Sequence, residues 1–77
     1  MSEKIILDVR TPEEYKQERI IGSIDIPLSF IETREDRVAK LIAGKEVLII
    51  CRSGRRAQLA KDILAPHSEI EKLTVYP

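Results

Sequence analysis

The chain has one cysteine, Cys51, and its setting is unusual. It closes the apolar run Val47-Leu48-Ile49-Ile50 and opens the loop Arg52-Ser53-Gly54-Arg55-Arg56, after which apolar residues return at Ala57, Ala60, Ile63 and Leu64. The continuous β-branched and leucine run is that of a strand buried on both faces of a parallel sheet, and the later spacing is helical. Strand, loop and helix in that order deliver a thiol beyond the carboxyl end of a strand, where open α/β sheets bind ligands. The helix that follows turns its free N–H groups and the positive end of its dipole toward the loop. With Arg52, Arg55 and Arg56 nearby, these surroundings favour the thiolate, which is the nucleophilic form of cysteine.

Cys51-Arg52-Ser53-Gly54-Arg55-Arg56 resembles the active-site loop of the rhodanese (thiosulfate sulfurtransferase) family, whose cysteine accepts a sulfane sulfur as a persulfide. The resemblance extends upstream to Leu7-Asp8-Val9-Arg10-Thr11-Pro12-Glu13-Glu14-Tyr15 and to Ile20-Ile21-Gly22-Ser23-Ile24-Asp25-Ile26-Pro27, in the family's order and at about its spacing, and it covers residues 5 to 77. It implies that Cys51 is the catalytic residue and that Arg52, Ser53, Gly54, Arg55 and Arg56 bind substrate. It also implies that Asp8 and Arg10 shape the pocket floor through ionic and hydrogen-bonding contacts. The amides of residues 52 to 56 are expected to cradle the sulfur, since a loop of N–H groups aimed at one point stabilises negative charge. Arg52 and Arg55 are candidates to contact an anionic donor, and Arg56 to orient the loop.

Rhodanese-like phosphatases and arsenate reductases carry five residues between cysteine and arginine, which suits a larger tetrahedral oxyanion; here four separate Cys51 from Arg56, and Ala57 follows. That spacing argues for sulfur over phosphate. A non-catalytic binding or regulatory module is the other alternative, and the retained cysteine and loop count against it. His67, the single histidine, falls in a polar connection and is expected to be a bystander, although a Cys-His mechanism would need it beside Cys51.

Composition bounds the remaining possibilities. A 77-residue chain forms one small domain, residues 1–77, and a chain of this size buries only about 60% of its unfolded surface. Thirteen basic and thirteen acidic side chains cancel, so no long-range field draws in nucleic acid or acidic lipid. The few aromatic residues, Tyr15, Phe30 and Tyr76, are too scattered to make a base-stacking surface. One cysteine excludes an internal disulfide, and with one histidine it is too little for an ordinary structural zinc site. Neither metal nor organic cofactor is expected. The longest apolar run is far too short to span a bilayer, and Met1-Ser2-Glu3-Lys4 does not open a secretory signal. These features lead to the expectation of a cytoplasmic protein whose thiol stays reduced.

The elements that must position the thiol follow from the pattern. Lys4 to Val9 contains a first strand. Thr11 then caps a short helix with Pro12 at its first position and Glu14 completing a capping box, ending near Gln17 or Glu18. Gly22 permits a bend, Ile24 to Ile26 form a brief strand, and Pro27 ends it. Ser29-Phe30-Ile31-Glu32 reads as a second capping box. A helix from Glu35 to Ala43 carries the stripe Val38, Leu41 and Ile42, with Gly44 as its left-handed cap. After the central strand, a helix over Arg55–Leu64 and a strand over Leu73–Tyr76 complete the chain. Strands alternating with helices predict an α/β fold: a small, open, mostly parallel sheet of about four strands with helices on both faces.

Relative to the family the chain departs in three places. Arg19-Ile20-Ile21-Gly22 stands where a histidine followed by Ile-Pro-Gly is usual, Asp25 replaces a common asparagine, and the chain stops at Tyr76-Pro77 without the customary Gly-Gly turn and tryptophan-bearing helix. The last departure predicts apolar surface left open around Ile5, Ile6, Leu73 and Val75, and with it modest stability or a homodimer formed through that face. The other partners implied are a small anionic sulfur donor and a thiophilic acceptor, cyanide or a thiol.

Overall fold

The computed structural model describes residues 3–76. Four strands, β1 (Lys4–Asp8), β2 (Ile24–Asp25), β3 (Glu46–Ile50) and β4 (Lys72–Val75), alternate with α1 (Pro12–Gln17), the pair α2 (Leu28–Thr33) and α3 (Glu35–Leu41), and α4 (Arg55–Leu64). Every pairing is parallel, in the order β2-β1-β3-β4. Parallel neighbours need crossovers, and the crossovers here step to opposite sides of β1. Right-handed connections therefore place α1 on one face and α2, α3 and α4 on the other.

The core lies under the second group. Leu7 and Val9 of the first βα unit and Val47 and Ile49 of β3 pack with Ile31, Val38, Ile42, Ala57, Ala60 and Leu64 from the three helices. Because strand side chains alternate, β3 does not run buried on both faces as its apolar sequence predicts. Val47 and Ile49 are buried, whereas Glu46, Leu48 and Ile50 are only half-buried. The opposite face holds the register neighbours Ile6, Leu48 and Thr74 beside the charged row Lys4, Glu46 and Lys72, and these residues line a shallow open depression. Helix α1 buries none of its residues and leaves this end of the sheet bare. Of the positions expected to be uncovered, Ile6 is on this face. Ile5, Leu73 and Val75 instead point to the core side and pack against it, since the period of two separates them from Ile6.

Two helix details differ from the sequence reading. α2 starts at Leu28 with Pro27 as its cap residue and no side-chain cap, so Ser29 lies inside the helix and the second capping box does not form. The Leu28 N–H donates to the carbonyl of Val9 and the Pro27 carbonyl accepts from Phe30 and Ile31, which starts the helix early. In α3 the buried positions are Val38 and Ala39, continued by the buried cap residue Ile42, and Leu41 is 60% exposed; at 100° per residue Leu41 falls on the flank of that stripe. Gly44 takes the left-handed conformation, with φ of 74°, but the helix ends at Leu41 with Ile42 as its cap residue, short of the Ala43 end that would have made Gly44 its cap.

Candidate active site

β1 and β3 are central neighbours, so the segments leaving their carboxyl ends meet. From β1 come Asp8, Arg10 and the start of α1; from β3 come Cys51 and the loop to α4. The half-buried Cys51 Sγ accepts from the Gly54 N–H at 2.9 Å and from the Ala57 N–H at 3.4 Å. Gly54 is the cap residue of α4, with φ of 82° and no side chain to cap with. The sulfur takes the place of a capping oxygen and satisfies a first-turn amide that would otherwise be unpaired. Gly54 is thus part of the expected cradle, whereas the second donor, Ala57, lies one residue beyond the predicted 52-to-56 span. Helix periodicity places residue 57 at the third helical position, a signal that could have pointed to it.

Arg52, Ser53 and Arg55 are exposed around this sulfur. Arg56 is held: its Nη1 donates to Glu14 Oε1 at 2.7 Å and its Nη2 to Oε2 at 3.1 Å. Glu14 Oε1 also accepts from the N–H and hydroxyl of Thr11, at 3.1 Å each, while the Thr11 hydroxyl accepts from the Glu14 N–H. One carboxylate thus closes the capping box of α1 and ties the first turn of α4 to it through Arg56. The Arg56 guanidinium, with the Thr11 N–H second, holds the Glu14 carboxyl down at about 2. Its contribution to stability is present above the ordinary carboxylate range and is lost only as pH falls through that low value.

Asp8 is fully buried at the end of β1. Its Oδ1 accepts from the Arg10 N–H and Nε, both at 3.0 Å, and Oδ2 from Nε at 3.0 Å and Nη2 at 2.8 Å; Nη2 also donates to the Glu18 carbonyl. The two side chains thus pair with each other, and of the two only Arg10 reaches the cavity beside Cys51. Arg10, Glu18, Arg19, Ile20, Cys51 and Arg52 line an open cavity of about 420 Å³ over the thiol.

His67 lies elsewhere. It follows α4, whose ten residues extend roughly 15 Å from the cysteine loop. There Nε2 is 2.9 Å from Glu35 Oε1, with Asp36 and Glu69 near Nδ1 at 3.8 and 3.9 Å. The Glu35 hydrogen bond raises the His67 pKa above its ordinary value, so its stabilising contribution is complete below about pH 6.5 and is lost as pH rises through the raised value.

Asp25 pairs in register with Asp8, and its Oδ1 is shielded from solvent with no hydrogen-bond partner. Burial first, and the Asp8 charge second, raise its pKa. A raised carboxyl favours the fold at pH below the unfolded value near 4, and that advantage is lost as pH rises through the folded value. Asp25→Asn is therefore expected to stabilise the protein by about 1 kcal/mol at pH 7, with the gain shrinking toward pH 3. Urea midpoints at the two pH values check this, and an equal or lower midpoint at pH 7 contradicts it.

A four-stranded parallel sheet whose central strand ends in an amide-cradled cysteine defines a rhodanese-type α/β domain. The chain belongs to the rhodanese-like domain family, whose model matches residues 1–76. It is 39% identical over 61 residues to the thiosulfate sulfurtransferase PspE of Escherichia coli, covering 77% of this chain and 56% of that protein. The chain spans only part of the length of the curated relatives it matches, from 18% to 56%. Among solved structures, it superposes on an E. coli rhodanese with anions at a TM-score of 0.73 and 30% identity, over 94% of this chain and 82% of the other. It also superposes on the single-domain sulfurtransferase RDL2 of Saccharomyces cerevisiae at 0.75 and 26%, over 97% and 68%. Among the described residues no helix is long and apolar enough to cross a membrane.

Proposed function

We propose that this protein is a thiosulfate sulfurtransferase working through a persulfide on Cys51. The observation that carries the reading is the pair of N–H groups, from Gly54 and Ala57, directed at Sγ from the start of α4. In the first half-reaction the Cys51 thiolate attacks the outer sulfur of thiosulfate; the new S–S bond forms as the old one breaks, and sulfite leaves with the electron pair. In the second, cyanide or a thiolate attacks the outer sulfur of the persulfide, the Cys51 thiolate is released, and thiocyanate or a new persulfide departs. Charge is conserved in each step, and neither step needs an outside oxidant.

Arg52 and Arg55, exposed beside the loop, are suited to meet the donor's sulfonate oxygens, with Ser53 and Gly54 shaping the turn and Arg56 keeping it in place. The similarity to a rhodanese with anions supports an anionic donor. A reducing compartment such as the cytoplasm suits a mechanism that needs a free thiol. Mass spectrometry after thiosulfate treatment tests the reading: the expected result is one added sulfur, mapped to Cys51 and removed by cyanide. An unmodified cysteine would leave the regulatory-module alternative standing. The four-residue spacing further predicts that an aryl phosphate is hydrolysed far more slowly than sulfur is transferred, and comparable rates in a parallel assay would count against the argument from loop size.

A further inference from the structure

One wall of the cysteine cavity carries apolar side chains that a small donor and cyanide do not need. Ile20 lines the cavity and is 49% exposed, and its neighbour Ile21 is 97% exposed. Both sit in a turn that is firmly made. The Ile20 carbonyl accepts from the Ser23 N–H at 3.0 Å and the Ser23 hydroxyl at 2.6 Å, Gly22 supplies the left-handed residue with φ of 88°, and the Tyr15 hydroxyl donates to the Ser23 carbonyl at 2.8 Å. The turn therefore holds two isoleucines in water, side by side. Single exposed apolar residues need no explanation, but an adjacent pair at the mouth of a reactive site reads as contact surface.

Charge adds an independent observation. Arg19 and Arg52 line the same cavity, and among the described residues neither forms an ion pair; Arg19 rests over the Tyr15 ring, 5.3 Å from its centroid. Arg10, by contrast, is committed to Asp8. The lone acid on the cavity wall is Glu18. Two unmatched cations beside two exposed isoleucines complement a surface that is acidic and apolar at once, a pattern found on a polypeptide and absent from a small thiol.

We infer that the Ile20-Ile21 turn, with Arg19 and Arg52, is a docking ridge for a polypeptide acceptor that presents a cysteine flanked by apolar and acidic residues. This deepens the sulfurtransferase reading and rests on it. The acceptor thiolate attacks the outer sulfur of the Cys51 persulfide, the S–S bond to Cys51 breaks, Cys51 leaves as thiolate, and the acceptor carries away the new persulfide. No further reactant is required.

The test compares two synthetic peptides as sulfur acceptors, each with one cysteine: one flanked by leucine and aspartate, the other by glycine and serine. Cyanide is the control. The expected result is that the leucine-aspartate peptide is the better acceptor by about tenfold in kcat/KM, and that Ile21→Ser raises its KM about fivefold while leaving kcat and thiocyanate formation unchanged. Ile21 touches neither core nor thiol cavity, so the variant should fold. Equal use of the two peptides, or a KM that does not respond to Ile21→Ser, with thiocyanate still formed, would overturn the docking inference alone. Absence of thiocyanate from the unmodified protein would overturn the sulfurtransferase reading and this inference together.

Discussion

Cys51→Ser is expected to abolish thiosulfate:cyanide sulfur transfer, with a loss of at least about 10³-fold, while His67→Ala leaves it nearly intact. A serine oxygen cannot hold a sulfane sulfur as a persulfide, and the two amides directed at Sγ cannot supply that chemistry in its place. His67, engaged with Glu35 beyond the far end of α4, has no route to the thiol. Rates of thiocyanate formation, with folding checked by circular dichroism, decide the matter. Equal losses in two well-folded variants would favour a Cys-His mechanism and sink the view that main-chain donors activate the loop.

Arg10→Ala is expected to be the most destabilising of the single changes considered, at about 3 kcal/mol. The Asp8 carboxylate is fully buried and takes four hydrogen bonds from Arg10, three of them from the guanidinium. Removing one partner of a buried ion pair leaves an uncompensated charge, which costs roughly 3 to 5 kcal/mol. The intact pair need not contribute nearly so much, because both ions lose water on folding. Asp8→Asn combined with Arg10→Ala should therefore recover part of the loss. Chemical denaturation of the parent and the two variants measures it. A single variant within about 0.5 kcal/mol of the parent, the range of ordinary surface substitutions, would show that water reaches Asp8 and that the pair is a surface contact.

The elements legible in the sequence were those that local chemistry specifies. Thr11, Pro12 and Glu14 encode the start of α1 within four residues, and that helix begins as they predict. The Val47-to-Leu64 stretch likewise announces strand, loop and helix by periodicity and one glycine. What the sequence could not display is sharing over distance. Glu14 looked fully occupied by its capping box, and nothing at its own position signals that Arg56, 42 residues later, takes the same carboxylate. Ser29 misled for the opposite reason: it has capping chemistry, but tertiary hydrogen bonds at Pro27 and Leu28 start the helix ahead of it. The apolar run of β3 concealed its half-open face, since a strand with thin cover and one with full cover can share the same residues.

The double use of Glu14 ties the lifetime of the cysteine loop to that of α1. A six-residue helix with nothing buried is far below the length that persists alone in water, so α1 depends on its cap and on its grip on Arg56. Whenever α1 unwinds, that grip is lost. The free energy needed to fray this helix is therefore an upper bound on the free energy needed to release the arginine tie. Evolution or design cannot loosen the first helix without also shortening the time for which the loop stays closed around its sulfur.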